Sequence, residues 1–331
     1  MGKFLECKCL LIVLAVLVCS TTAVAIDAPQ IRDCRLRQLA SIDLKVGSIV
    51  LIPVILDAAP AFMGLNISLP ISTINLEAAN DKKLVMRKAP EPFSDAPGIV
   101  TIDSFSLGAF GIGKVQLLVF PAGNKTLPGL PTFIGSIALP ALLKADFELD
   151  FAHNKLNLFA TDHCPGNVVY WADKAAAIPY TLDRIGIPVF PIELDGKKIS
   201  AALRLSASGT TLKTDVSKAL YGFDETSPDV RSDTSESGTA IKHYRAMKMT
   251  LPGLSVTNAD VQLMAGLNKK CELSPDSGPE HSATYKSCFG NPPLTLGLDV
   301  LRHLRLYFAT VEHILYVTAA DAARPATASG Q

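Results

Sequence analysis

Short apolar runs, cut by glycine, proline and aspartate, set the pattern of this chain. Residues 48–56 are almost continuously apolar and predict a buried strand, and a turn at 57–60 sends the chain back through a second strand at 61–67. Residues 99–108 and 114–120 are strand-like and separated by Gly108, Gly111 and Gly113, which predicts a hairpin. The first half then closes with an apolar run at 133–139, a short helix over 139–143, and strands at 147–151 and 155–159 about a turn at His153-Asn154. The second half predicts strands at 244–250, 255–264, 306–308 and 314–317, the last two about a turn at Glu312-His313. The polar stretches 223–239 and 272–287 read as exposed loops. The fold class these elements predict is all-β.

One segment occurs twice. Ile52-Pro53-Val54-Ile55-Leu56-Asp57 runs on to Leu65-Asn66-Ile67-Ser68 and to Ser72-Thr73-Ile74. Phe190-Pro191-Ile192-Glu193-Leu194-Asp195 runs on to Leu203-Arg204-Leu205-Ser206 and to Thr210-Thr211-Leu212. The copies match at a constant offset of 138 residues without a gap, which implies a duplicated domain. Each copy reads as a strand, a tight turn at Asp57-Ala58 or Asp195-Gly196, a second strand and a loop rich in small and hydroxyl residues. A second shared block aligns 134–139 with 296–301 through Gly135 and Gly297, which sets Asp299 against Ile137.

These segments resemble the active-site region of retropepsin-like aspartic proteases, and in particular bacterial relatives that carry two such domains in one exported chain. The stretch Asp162-His163-Cys164-Pro165-Gly166 is similar to the connection between domains in those relatives. The resemblance covers 48–159 and 190–317. It implies two tandem β-barrel lobes about a pseudo-twofold axis, with short helices. In that family the second strand ends in Asp-Thr-Gly, and the first Asp is catalytic. Here the position is Asn66 in one copy and Arg204 in the other, and Thr-Gly becomes Ile67-Ser68 and Leu205-Ser206.

Aspartic proteolysis needs two carboxylates sharing one proton, one acting as base on water and the other as acid on the carbonyl oxygen. An amide has no useful basicity, and a guanidinium stays protonated. Ser68, Ser72, Ser206 and Ser208 line the same loops and supply no acid. Asp57 and Asp195 match across the repeat but stand at predicted turns, where aspartate is a turn former. Asp103 and Asp299 have no repeat partner. No catalytic residue is therefore expected. His163, beside Cys-Pro-Gly, reads as a turn residue or a hydrogen-bonder between domains.

Equal numbers of basic and acidic residues, 31 of each, remove the electrostatic footprint of a nucleic-acid binder. Lys3 and Lys8 precede an apolar run at 10–18 and then Ala23-Val24-Ala25, the pattern of a cleaved signal peptide over 1–25. The alternative is a retained anchor, the one route by which a membrane becomes a partner. The boundaries that follow are 26–47 for an N-terminal segment, 48–159 and 188–318 for the lobes, 160–187 for the connection and 319–331 for a disordered tail.

Signal removal takes Cys7, Cys9 and Cys19 and leaves Cys34, Cys164, Cys271 and Cys288. An even set in an exported chain predicts disulfides, and four cysteines allow three pairings. The favoured one is Cys271 with Cys288 and Cys34 with Cys164. A rival metal site using Cys271, His281 and Cys288, with His163 and Cys164 nearby, matches no zinc spacing. No cofactor is expected.

Two functions are consistent with this pattern. One is an exported, periplasmic or secreted pseudoprotease that holds a peptide or protein partner in the cleft between its lobes. The other is an active aspartic endopeptidase using carboxylates elsewhere. Between them the state of positions 66 and 204 decides, and it favours the first.

Overall fold

The computed structural model describes residues 34–91, 93–234, 240–252, 254–264 and 292–322. The predicted signal peptide, Cys271, His281 and Cys288 lie outside them.

Ten strands precede the connection between lobes: β1 (Gln38–Asp43), β2 (Lys45–Val46), β3 (Val50–Leu56), β4 (Ala59–Asn66), β5 (Thr73–Asn75), β6 (Gly98–Leu107), β7 (Phe110–Phe120), β8 (Gly135–Ala138), β9 (Asp146–Asp150) and β10 (Lys155–Phe159). The order β3-β4-β8-β5-β7-β6 closes on itself because β6 also pairs with β3, making a six-stranded barrel. Closure leaves no open edge. Consecutive strands β4 and β5 are held apart by β8, parallel to the first and antiparallel to the second, so residues 67–72 form a loop across the barrel end.

Eleven strands follow: β11 (Ala176–Pro179), β12 (Thr181–Leu182), β13 (Pro188–Leu194), β14 (Lys197–Leu203), β15 (Thr210–Lys213), β16 (Val230–Thr234), β17 (Ala240–Leu251), β18 (Leu254–Met264), β19 (Leu294–Leu296), β20 (Leu304–Ala309) and β21 (Ile314–Ala319). The ring β13-β14-β19-β15-β18-β17 closes by the β13–β17 pairing, reproducing the first barrel. β16 lies in the stretch expected to be a loop and extends the hairpin by pairing with β17. Segment 160–187 contributes β11 and β12, while Ala319 ends β21 and Ala320 N donates to the His303 carbonyl. Among the described residues no helix is long and apolar enough to cross a membrane.

Both hairpin tips have the geometry the repeat predicts. Asp57 and Ala58 have φ of 46° and 69°, and Asp195 and Gly196 have 46° and 76°, as a two-residue type I′ turn requires. The equivalence runs at 138 residues as far as the helices α1 (Leu76–Asp81) and α2 (Thr214–Tyr221). From β8 and β19 onward the register sets the offset at 159, since Ser136 faces Gly64 and Thr295 faces Ala202. Asp299 is therefore equivalent to Pro140, not to Ile137. Gly135 and Gly297 misaligned the block because they do different jobs: a Cβ on Gly135 would collide with the Thr73 carbonyl, and one on Gly297 with that of Gly209.

The lobes join through a six-stranded sheet in the order β1-β10-β9-β20-β21-β11. At its centre β9 and β20 pair antiparallel with Glu148 opposite Tyr307. Those two residues are themselves equivalents, so the pseudo-twofold axis passes between them. The strands have diverged into complementary surfaces. β9 presents Asp146, Glu148 and Asp150, whereas the equivalent places on β20 hold Arg305, Tyr307 and Ala309. Two copies of lobe 1 paired in this way would set buried carboxylates against carboxylates, a costly arrangement. The second lobe instead supplies the cation and hydroxyl they require.

Candidate functional site

Asn66 ends β4 and Arg204 follows β14, and both are half-buried. Their loops meet across the axis. The Ser68 hydroxyl donates to the Leu203 carbonyl at 2.7 Å, and Val50 N donates to the Leu205 carbonyl at 3.0 Å. Ile67 and Leu205, which follow Asn66 and Arg204 in sequence, are fully buried in the core shared by both lobes. The Ser68 amide donates to Asn66 Oδ1 at 3.1 Å, a turn that fixes the Asn66 side chain from its own loop.

One lock is common to both copies. Ala138 N donates to Ser72 Oγ at 2.9 Å, and the equivalent Gly297 N donates to Thr210 Oγ1 at 3.0 Å. Ser72 is thus a buried structural hydroxyl. Its counterpart is Thr210, while Ser206 and Ser208 are exposed. The second copy adds Asp299, which accepts from Thr210 N, Thr210 Oγ1 and Val300 N and so ties its loop to the helix α3 (Leu298–Leu301).

The other candidate acids are occupied by structural work. Asp57 accepts from Ser104 N at 2.8 Å, and Asp195 from Lys248 N at 2.7 Å and Tyr244 Oη at 2.6 Å. Each pins its hairpin tip to the next hairpin of its own lobe. Asp103 is exposed and pairs with Lys114. None of Asp57, Asp103, Asp195 and Asp299 is hydrogen-bonded to another carboxylate among the described residues.

Arg204 stands apart from the other well-shielded arginine. Arg305 meets Glu148 and Asp150, but no carboxylate among the described residues lies within ion-pair reach of the Arg204 guanidinium. Burial alone moves the Arg204 pKa down, with no neighbouring anion to offset it. The group remains a cation all the same.

Sequence reasoning missed a second polar cluster, on the interlobe sheet. Glu148, fully buried, accepts from Arg305 Nε, Asn157 Nδ2 and Tyr170 Oη, each at 2.7 Å. Arg305 also stacks on Trp171, its Cζ 4.6 Å from the ring centroid. Asp146 accepts from Thr310 N, Thr310 Oγ1 and Tyr307 Oη, and its Oδ2 is 2.6 Å from His163 Nε2. The signal was there in 146–150, where acids alternate with apolar residues in a strand flanked on both sides.

His163 bridges the connection to both lobes. Its Nδ1 lies 3.1 Å from the Cys164 carbonyl and 3.7 Å from Glu312, so both ring nitrogens face acceptors and the imidazolium is the fitting form. Burial would lower its pKa, but the Asp146 and Cys164 hydrogen bonds and the attraction of Asp146 and Glu312 outweigh that and raise it. The protonated ring therefore stabilises the fold fully below the ordinary value of about 6.5, and the contribution is lost as pH rises through the raised one. Chemical unfolding from pH 6 to 9 should show stability declining in the wild type, with a flatter profile in His163→Gln. Next to it Cys164 forms a disulfide with Cys34.

Fold and loops together define an all-β protein of two six-stranded barrels related by a pseudo-twofold axis, with an amide and a guanidinium on the two loops that meet across it. No protein-family model matches the chain, and no curated protein does. Among solved structures, basic 7S globulin from soybean is similar with a TM-score of 0.46 and 11% identity, over 87% of this chain and 96% of that one. Conglutin gamma, a basic 7S globulin from lupine seeds, gives 0.45 and 8%, over 86% of this chain and 95% of that one.

Proposed function

We propose that the chain is an exported, diverged relative of the two-domain retropepsin-like proteases that does not cut peptides and instead holds a peptide or protein partner where its lobes meet. The observation that carries this reading is the chemistry at the facing loops, where Asn66 and Arg204 stand in the places of the two acids. Neither side chain can take a proton from water. The alternative of a displaced dyad finds little support, because the buried acids Asp146, Glu148 and Asp150 are each held by cations and hydrogen-bond donors. A disulfide between Cys34 and Cys164 supports export to an oxidising compartment. The test is equilibrium dialysis of the protein against a random hexapeptide pool. Retained peptides recovered at intact mass support the reading, and retention of none would overturn it.

A further inference from the structure

The facing loops have changed the sign of their charge, and that change has a ligand chemistry attached. In place of two acids sharing a proton, the polar side chains here are Asn66, Ser68, Arg204, Ser206 and Ser208, with no carboxylate among them. Asn66 Oδ1 is engaged by the Ser68 amide, which leaves the Nδ2 donors free of a protein acceptor among the described residues. Ser68 Oγ is spent on the Leu203 carbonyl. The fold brings Asp299 to the loop that follows Arg204, and its oxygens are taken by Thr210 and Val300. Arg204 is held by its backbone, where N donates to the Leu296 carbonyl at 2.8 Å, and its guanidinium is half-shielded without an anion among the described residues. A shielded cation with unused donors is costly to keep and gains most from an anion that fits its planar fork.

We infer that Arg204, with the Asn66 amide across the axis, receives the carboxylate of a ligand bound between the lobes. This rests on the proposed binding function and specifies which ligands it takes. A carboxylate fits better than a neutral carbonyl because two parallel N–H···O bonds can form, each assisted by charge. Its source is either a peptide C-terminus or an acidic side chain.

Three hexapeptide pools tested by equilibrium dialysis with the full protein separate the possibilities: free-acid peptides lacking Asp and Glu, the same peptides as C-terminal amides, and amides containing one Glu. Binding of the first pool about ten- to a hundredfold tighter than the second identifies the terminus as the source, and the same advantage for the third identifies the side chain. In Arg204→Gln that advantage should vanish, and in Arg204→Lys it should be partly kept. Equal binding of all three pools, unchanged in Arg204→Gln, would overturn the carboxylate site while leaving a binding cleft in place. Binding of no pool would overturn both. An independent readout is the Tm of Arg204→Met without ligand: unchanged or raised if the cation awaits a ligand, lowered by several degrees if it serves an internal ion pair, which would contradict the inference.

Discussion

Arg305→Ala is expected to destabilise the protein by about 3–5 kcal/mol, a large share of the stability of any domain. The guanidinium bonds Glu148 at 2.7 Å and lies 3.1 Å from Asp150, and both acids are buried on the central strand of the interlobe sheet. Alanine would leave two carboxylates shielded from water with no cation between them, and would also remove the stacking on Trp171. Arg305→Lys should recover only part of the loss, because a single ammonium cannot span two acids and stack on an indole. Removing the charge on both sides, as in Glu148→Gln with Arg305→Met, should cost less than the two single changes summed. Urea midpoints measure all three. A loss under about 1 kcal/mol for Arg305→Ala would mean that water solvates the pair, as at an exposed ion pair.

Opening the Cys34–Cys164 bond should cost about 4 kcal/mol. The bond closes a loop with a sequence separation of 130 residues, so the unfolded chain gains much freedom when it is cut. It also joins the residues preceding β1 to the connection beside His163, at the edge of the sheet that unites the lobes. Cys34→Ser with Cys164→Ser, or reduction under native conditions, should therefore lower the unfolding midpoint, most plainly above neutral pH where the His163 contribution is also fading. A change under about 1 kcal/mol would mean that the sheet holds its strands without the clamp.

What the sequence disclosed and what it hid follow from the range of the interactions involved. The hairpin tips at Asp57-Ala58 and Asp195-Gly196 were legible because turn chemistry is local, and the facing of the loops that carry Asn66 and Arg204 because the repeat runs without a gap to those positions. Asp299 was misplaced by three residues. Two glycines that look alike in sequence serve different close approaches, and only strand register separates them. The pairing of Arg305 with Glu148 and Asp150 is not legible in the sequence, since the partners lie 155 or more residues apart across the axis and no pattern within one strand names the cation. The repeat sets Thr210 against Ser72, but only the fold shows that these two hydroxyls accept from the Gly297 and Ala138 amides. Strands β1 and β11 are short edge elements whose pairing, with β10 and β21, is decided by the interlobe sheet rather than by their own composition.

A protein that holds peptides without cutting them, as proposed here, should leave a peptide library intact, and mass spectrometry of the products measures this. The protein would be incubated with a diverse peptide library at steps from acidic to neutral pH, with and without pepstatin. No cleavage products above those of the library alone are expected at any step, because Asn66 and Arg204 supply neither the base nor the acid that the reaction needs. Cleavage that pepstatin blocks, and that survives Arg204→Ala, would contradict it and place a working dyad elsewhere in the chain.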